Sequence, residues 1–311
     1  MNNWIKSRIL SFVEKAKDTF KRQRPSKDDQ EKSLWTSCDC KNLIYKEDLE
    51  SNFFCCPKCG YHHKLTCIQR FNTFFDSDYT VLEHPNPIDD VIGFKDKKSY
   101  KDRLETARKL TKQRDTALIA SGAVKGIKCT VGSMDFRVIG GSMGKNFGEA
   151  FLFACNYSIE HKQPLVFFCT SGGARLMEST AGGLMQMTRS VLGVNELKKK
   201  NIPFIVVLTE PSTGGSLASW ASLGDLQISE KNVRNISFAG ARVVQQTIRE
   251  TLPDDFGSSK FQMDKGQVDL IVERKDLNST IGTLLNILTK KAELVDNQSN
   301  VKVDKSIQTA S

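Results

Sequence analysis

The chain has 311 residues, of which 39% are hydrophobic and 26% are charged, and its formal net charge is +9. These values fit a soluble globular protein of one or two domains with a substantial core, and they exclude collagen-like, mucin-like and coiled-coil chains. The positive charge suits an anionic partner such as a phosphate-bearing cofactor, a nucleic acid or an acidic protein, although solubilising surface charge explains it equally well.

The first 33 residues differ in composition from the rest of the chain. Residues 4–20 place apolar side chains at helical spacing among basic ones, which predicts an amphipathic helix, and the polar residues 21–33 predict a linker. The longest apolar run, Phe204–Leu208, is far shorter than the ~20 residues of a membrane span. The first ten residues lack the sustained apolar stretch and the small-residue cleavage site of a secretory signal, so we expect none. We therefore expect a soluble, cytoplasmic protein without a membrane span.

A cysteine-rich block over residues 34–70 predicts a small metal-binding domain. Its two cysteine pairs, separated by fifteen residues, are Cys38 with Cys40 and Cys56 with Cys59. Four thiolates at such a spacing are typical of a zinc ribbon, in which the metal supplies much of the folding energy. The first pair is shorter than usual by one residue, so other nearby side chains remain candidate ligands: Cys55, Cys67, His62 and His63.

Two functions are open for this ribbon. Many zinc ribbons bind nucleic acid, but Leu34–Arg70 carries five basic and four acidic residues, which is a weak electrostatic footprint for that role. A module that docks a subunit or covers a site is at least as well supported. Nucleic acid therefore remains a possible but weakly supported partner.

Residues 71–294 form the predicted main domain, with repeated units from about Ala117. A buried strand, a glycine-rich turn and a helix alternate, which predicts parallel strands with right-handed crossovers and hence an α/β fold. The predicted strands cover 117–124, 128–139, 164–169, 202–208, 226–230 and 236–238. A helix is predicted within 94–115 and another over 241–251, and the polar residues 295–311 predict a disordered tail.

Three of these turns contain paired glycines, namely Gly140–Gly141, Gly172–Gly173 and Gly214–Gly215. Glycine permits unusual backbone angles and lets backbone amides approach a ligand oxygen, and two converging amides form an oxyanion hole. The sequence contains neither a phosphate-binding G-x-x-x-x-G-K-[ST] loop nor a dinucleotide-binding G-x-G-x-x-G motif. Packing is an alternative explanation for Gly140–Gly141.

The side chains that are missing near the turns also limit the chemistry. None of the four histidines lies in a glycine turn, and Ser171 stands in T-S-G-G rather than in a G-x-S-x-G elbow, so a hydrolase triad is disfavoured. Amide-assisted formation of a thioester enolate fits these residues, provided that the substrate brings its own base.

Several motifs together resemble the beta subunits of bacterial acetyl-CoA carboxylase carboxyltransferase. The resemblance runs from the N-terminus to about residue 290. The motifs are W-T-S-C at 35–38, C-P-K-C at 56–59, F-K-D-K-K-S-Y-K-D-R-L at 94–104, G-G-S-M-G at 140–144, S-G-G-A-R at 171–175, L-M-Q-M at 184–187, T-G-G at 213–215, F-A-G-A-R at 238–242 and V-Q-Q-T-I-R-E at 244–250.

This resemblance implies a crotonase-type fold of repeated ββα units with an N-terminal zinc ribbon. It implies transfer of a carboxyl group from carboxybiotin, held on the biotin carboxyl carrier protein, to acetyl-CoA, giving malonyl-CoA for fatty-acid synthesis. The implied partners are a carboxyltransferase alpha subunit, in a heterotetramer of two alpha and two beta chains, and biotin carboxylase. Gly214–Gly215 would bind the thioester oxygen as the catalytic pair, with Gly172–Gly173 and Gly140–Gly141 shaping the substrate pocket.

Two points stay open at this stage. An acyl-CoA hydratase or isomerase could share the fold, but it needs a glutamate pair for acid–base work, and no segment offers an obvious one. Arg175 and Glu178 follow the second turn and could either contact substrate or form a salt link that holds the turn and its helix; the salt link is the favoured interpretation.

Overall fold

A computed structural model describes residues 34–85, 90, 92–179 and 181–290 of the chain. The predicted N-terminal helix and linker, and the predicted tail from residue 295, lie outside these residues. The chain divides into two compact units, the first ending at Tyr61 and the second beginning at His62. Among the described helices, none combines the length and the apolar character needed to cross a membrane.

The first unit is a small hairpin followed by a short helix. Strands β1 (Trp35–Ser37) and β2 (Leu43–Tyr45) pair antiparallel, and helix α1 (Lys46–Ser51) follows directly. Its buried hydrophobic cluster consists of Ile44, Leu49 and two cysteines. So small a core cannot offset the entropy lost on folding, so this unit needs an additional cross-link.

The second unit contains one large sheet flanked by helices. Its elements in chain order are α2 (Cys67–Phe74), β3 (Thr80–Leu82), α3 (Tyr100–Thr111), β4 (Ala117–Val124), β5 (Ile127–Met134), a 3-10 turn (Ile139–Gly141), α4 (Lys145–Glu160), β6 (Leu165–Ser171), α5 (Leu176–Ser179), α6 (Ala181–Lys199), β7 (Phe204–Thr213), α7 (Gly214–Leu217), a 3-10 turn (Trp220–Ser222), β8 (Leu226–Glu230), β9 (Ile236–Ser237), α8 (Ala241–Ile248), α9 (Ser259–Asp264), β10 (Leu270–Val272), a 3-10 turn (Arg274–Asp276) and α10 (residues 277–290).

The sheet is parallel at its centre and antiparallel at one side. Its strand order is β10-β8-β7-β6-β5-β4-β3, and β9 pairs with the far end of β7. Strands β5, β6, β7, β8 and β10 run parallel, whereas β3, β4 and β5 pair antiparallel. The predicted α/β class with parallel strands is therefore confirmed.

Both faces of the central strands are covered, which explains their continuous apolar sequence. All seven residues of β6 are buried. Because side chains alternate along a strand, Phe167 packs on one face against Trp220, with ring centroids 4.8 Å apart, and Phe168 packs on the other against Phe74, at 5.0 Å. These contacts belong to two separate hydrophobic clusters, one on each face.

Some of the predicted strand and helix boundaries differ from those in the structure. Strand β5 ends at Met134 rather than at residue 139, because the Asp135 carboxylate accepts the N–H of Arg137 at 2.9 Å and turns the chain. Strand β7 continues past the predicted 208 to Thr213. Helix α8 stops at Ile248, since the next residue, Arg249, adopts φ 58°.

A buried ion network ties the end of β8 to two other elements. Glu230 is 1% exposed, and its carboxylate accepts from Arg70 of α2 at 2.5 Å and from Arg274 at 2.7 and 2.9 Å. Nδ1 of His62 lies 3.3 Å from the same carboxylate. Burial opposes ionisation of Glu230, but the charges of Arg274 and Arg70 prevail and hold its pKa well below the usual value.

Replacing this carboxylate should destabilise the second unit strongly. We expect Glu230→Gln to lower the free energy of unfolding at pH 7 by about 3–5 kcal/mol, because two buried guanidinium groups lose their counter-charge. Because folding lowers the pKa of Glu230, its carboxylate contributes fully to the free energy of unfolding above the unfolded-state pKa of about 4.3. This contribution declines as the pH falls below that value. Urea unfolding at pH 7 and in acid measures both effects.

The matched control is Glu196→Gln, which removes an exposed carboxylate paired with Lys199. It should change the free energy of unfolding by less than about 1 kcal/mol, because solvent screens an exposed pair. If the two substitutions changed the free energy of unfolding equally at pH 7, the stabilising role of the buried Glu230 carboxylate would be contradicted.

Candidate active site and metal centre

The three glycine pairs follow β5, β6 and β7, which are neighbours in the parallel part of the sheet. The carboxyl ends of parallel strands meet at one edge, where ligands bind in open α/β sheets. The structure brings all three pairs together there. The N–H of Gly172 donates to the carbonyl of Gly140 at 2.9 Å, and a Cβ built on Gly173 would lie 3.2 Å from the nitrogen of Gly215.

Glycine is required at the contact between the second and third turns. Gly173 has φ 114° and Gly214 has φ 64°, both in the range that side chains disfavour. A Cβ on Gly214 would also lie 2.8 Å from the Cα of Gly173. Because both turns lack side chains here, their backbones can approach each other closely.

The hydrogen bonds show which of these amides are already occupied. The N–H of Gly214 donates to the carbonyl of Phe238 at 3.0 Å, and the N–H of Gly173 donates to Oγ of Ser171 at 3.0 Å. In the described part of the chain, the amide of Gly215 has no protein acceptor. Of the sequence-predicted catalytic pair, therefore, Gly215 is the residue whose N–H remains free to bind a substrate oxygen.

A second amide without an acceptor among the described residues is that of Ala174, which sequence reasoning missed. The chain on either side of it pairs with Met143: Met143 N–H donates to the Gly173 carbonyl at 2.7 Å, and Arg175 N–H donates to the Met143 carbonyl at 2.8 Å. In such a bridge the N–H of the middle residue points away from the partner. A Cβ on Gly215 would lie 3.3 Å from the nitrogen of Ala174. The two free amides are therefore neighbours.

Arg175 faces the protein interior. It is 2% exposed and forms an ion pair with Asp115 at 2.8 Å, and it donates to the hydroxyls of Tyr100 and Ser142, each also at 2.8 Å. Burial disfavours the charge on Asp115, but the charge of Arg175 outweighs this and lowers the pKa of Asp115. Arg175 therefore forms a salt link rather than facing solvent, but its partner Asp115 lies in the segment before β4 and not in the helix after the turn. Its hydrogen bond to Ser142 holds the second turn against the residues that follow the first.

The glutamates nearest in sequence to the second and third turns, Glu178 and Glu210, bind other groups. Glu178 pairs with Arg103 at 3.4 Å, and Glu210 accepts the backbone N–H groups of Arg234 at 2.6 Å and Asn235 at 3.2 Å. Neither carboxylate is available as half of a glutamate pair. The arrangement can bind and polarise a carbonyl oxygen, but these side chains do not supply an acid–base pair.

The four predicted cysteine ligands form one cluster in the first unit. The sulfur atoms of Cys38, Cys40, Cys56 and Cys59 all lie within 4.8 Å of one another. The Cys38–Cys59 pair is 3.6 Å apart and the Cys40–Cys56 pair 3.9 Å. A tetrahedral zinc ion with Zn–S bonds of about 2.3 Å requires sulfur separations of about 3.8 Å, so the cluster fits zinc.

The alternative ligands lie elsewhere. Cys67 is fully buried in the second unit and donates to the carbonyl of Ser133 at 3.0 Å, while His62 contacts Glu230. Within the four-sulfur cluster, a hydrogen bond from Asn42 lowers the pKa of Cys40 to about 6, whereas burial raises that of Cys38 to about 12. A bound cation would stabilise all four thiolates together. Although the first pair is shortened, both of its sulfur atoms lie in the cluster.

Comparisons with known proteins agree with both sites. Residues 95–308 match the carboxyl transferase domain family, and residues 35–59 match the acetyl-CoA carboxylase zinc finger domain family. The acetyl-coenzyme A carboxylase carboxyl transferase subunit beta of Pelagibacter ubique is 47% identical over 299 residues, covering 96% of this chain and 95% of the relative.

Solved structures share the fold of the second unit at low sequence identity. Transcarboxylase 12S matches 77% of this chain with a TM-score of 0.57 and 21% identity, and the chain spans only 42% of that protein's length. The malonate decarboxylase hetero-dimer of Pseudomonas matches 76% of this chain and 95% of its own, with a TM-score of 0.54 and 16% identity. The predicted crotonase-type fold with a zinc ribbon is therefore confirmed.

Proposed function

The chain belongs to the family of the acetyl-CoA carboxylase carboxyl transferase beta subunits, and from this premise we propose that it binds acetyl-CoA and promotes its carboxylation to malonyl-CoA, the first committed step of fatty-acid synthesis. The observation that carries the proposal is the pair of neighbouring free amides, Ala174 and Gly215, at the carboxyl ends of parallel strands.

The two amides would act on the thioester oxygen. When the methyl group of acetyl-CoA loses a proton, the C–H electron pair moves toward the carbonyl and negative charge develops on that oxygen. Fixed N–H donors stabilise this charge without reorganising. Carboxybiotin would supply both the carboxyl group and the base: breaking its N–C bond would release CO2 and leave the electron pair on the biotin nitrogen, which would take the methyl proton, and the methyl carbon would then bond to the carbon of that CO2. No histidine of this chain is needed.

We further propose that a second chain of the same fold supplies the biotin-binding half of the site. This would be the carboxyltransferase alpha subunit, in a heterotetramer of two alpha and two beta chains, with the biotin carboxyl carrier protein and biotin carboxylase delivering carboxybiotin. The length of transcarboxylase 12S supports this, because this chain corresponds to less than half of it.

Exposed apolar side chains on both sides of the third turn support the same proposal. On one side of the turn, the sulfur of Met187 in α6 lies 2.9 Å from the Cβ position of Gly215. On the other side, the carbonyl of Phe238 accepts the N–H of Gly214. Helix α6 and the segment that begins at Phe238 therefore both adjoin the third turn. The exposed residues, each more than half accessible, are Leu176, Met177, Leu184, Met185, Leu192, Phe238 and Val243. An apolar surface beside a site is typical of a protein interface.

None of the nine cysteines forms a disulfide bond, which suits a reducing compartment. We therefore propose a cytoplasmic location.

Reconstitution tests the proposed function. We expect the isolated chain to form no malonyl-CoA from carboxybiotin and acetyl-CoA. The chain assembled with its alpha subunit should form malonyl-CoA, because only the assembly holds both substrates next to each other. Malonyl-CoA formation by the homogeneous isolated chain would refute the two-chain site.

A surface variant tests where the second chain binds. Leu184→Lys/Leu192→Lys should weaken association with the alpha subunit by roughly 10–100-fold, since it places two charges in an apolar contact. The control Ile287→Lys changes an equally exposed residue of α10 and should leave association unchanged. Unaltered association of the double variant would place the interface elsewhere.

A further inference from the structure

The second and third glycine turns are joined by two buried serine hydroxyls. Ser171 ends β6, Ser216 directly follows Gly215 in α7, and both residues are 0% exposed. Their Oγ atoms are 2.6 Å apart, toward the short end of the range for O–H···O hydrogen bonds. Oγ of Ser171 also accepts the N–H of Gly173. A hydrogen-bonded path therefore connects one turn to the other.

The turns need such a connection because their own residues provide little rigidity. Gly173 and Gly214 lack side chains and have positive φ, so no side chain of these residues restricts rotation of the adjoining peptide groups, and hydrogen bonds must hold them in place. A serine hydroxyl, by contrast, is separated from its backbone by a single side-chain torsion. A bond between two buried serines therefore limits the distance between their backbones, and with it the distance between the neighbouring amides.

No acid–base side chain among residues 34–85, 92–179 and 181–290 hydrogen-bonds to the hydroxyl pair. The two Oγ atoms form hydrogen bonds to each other and to the backbone of Gly173. With both side chains fully buried, these hydroxyls act through the amides rather than on the reacting atoms.

We propose that Ser171 and Ser216 are positioning residues, whose hydroxyl pair sets the separation between the amide of Ala174 and the amide of Gly215. This inference rests on the proposed function, in which those two amides bind the thioester oxygen. A displacement of about 1 Å in such a site is enough to cost about 10²-fold in rate. The pair therefore controls turnover without contacting substrate.

Single and double substitutions in the assembled enzyme test this inference. Ser171→Ala and Ser216→Ala should each lower kcat about 10–100-fold, while the KM for acetyl-CoA stays within about threefold, because contacts to the rest of CoA are unchanged. Each substitution removes the same hydrogen bond, so the kcat of the double variant should be no lower than the kcat of the less active single variant.

A second buried serine pair provides the matched control. Ser229 and Ser259 have Oγ atoms 2.8 Å apart and are 0% and 4% exposed, but they lie at β8 and α9 rather than at the glycine turns. Ser229→Ala should lower the Tm about as much as Ser171→Ala does, yet keep kcat within about twofold. An equal loss of kcat in Ser229→Ala would mean general destabilisation and would overturn the inference.

The remaining outcomes separate this inference from the proposed function. Near-normal kcat in both alanine variants, with an inactive Gly215→Pro enzyme, would overturn the positioning role and leave the proposed function intact. Near-normal kcat in Ser171→Ala, Ser216→Ala and Gly215→Pro alike would overturn both the positioning role and the proposed function of the amides. If the alanine variants do not assemble, Ser216→Cys keeps the size and a weak donor. Its kcat should then fall by at least about threefold, and wild-type kcat would overturn the proposal.

Discussion

The Gly215→Pro variant of the assembled enzyme is expected to lose about 10²–10³-fold in turnover, which corresponds to the loss of one oxyanion-hole donor. Proline has no N–H, and Gly215 is the member of the third glycine pair whose N–H is free. The neighbouring Gly214 cannot replace it, because its N–H already binds the carbonyl of Phe238 at 3.0 Å. Helix α7 has only four residues, so we assign the effect to this one amide and not to a helix dipole.

A companion substitution separates the lost donor from crowding. Gly215→Ala keeps the N–H but adds a methyl group 2.9 Å from the sulfur of Met187 and 3.0 Å from Cβ of Ala174. It should reduce turnover less than Gly215→Pro does, and both variants should assemble and bind zinc normally. Turnover, zinc content and assembly state are the measurements. A Gly215→Pro enzyme that assembles with near-normal turnover would show that the amide of Gly215 is not an oxyanion-hole donor. The Gly172–Gly173 pair could not replace it, because both of its amides are already bound within the protein.

The Cys56→Ser/Cys59→Ser variant is expected to bind almost no zinc, whereas the unaltered chain binds about one ion. Two of four thiolate ligands are lost, and structural zinc contributes about 10–16 kcal/mol to the folding of comparable small domains. The first unit has few buried apolar side chains besides its cysteines. We therefore expect residues 34–61 to lose their fold in this variant while the second unit keeps its own core.

Metal analysis and limited proteolysis of the purified protein measure these two effects. Cys55→Ser is the matched control, because Cys55 is adjacent in sequence but its sulfur lies 3.6 Å from the carbonyl of Phe53 and outside the four-sulfur cluster. It should keep full zinc content and a protease-resistant first unit. Full zinc retention by the double variant would refute the ligand assignment.

Local sequence determined the elements and the kind of chemistry, because these depend on short-range physics. The apolar run at Leu165–Cys169 can only be buried on both faces, and the glycine pair that follows can only be a turn at the end of that strand. Since parallel strands end at one edge, the approach of the three glycine pairs followed from their positions. Four cysteines in two pairs likewise determined a zinc ribbon, which the four-sulfur cluster confirms.

Which groups are free and which are occupied was decided only by the tertiary structure. The N–H of Gly214 donates to the carbonyl of Phe238, and Arg175 pairs with Asp115 sixty residues away. Glu230 forms ion pairs with one arginine from α2 and another from beyond β10. None of these partners is near in sequence, so no local pattern could identify them. A hydrogen bond depends on distances of a few tenths of an ångström, and only the packing of the whole sheet and its helices sets such distances.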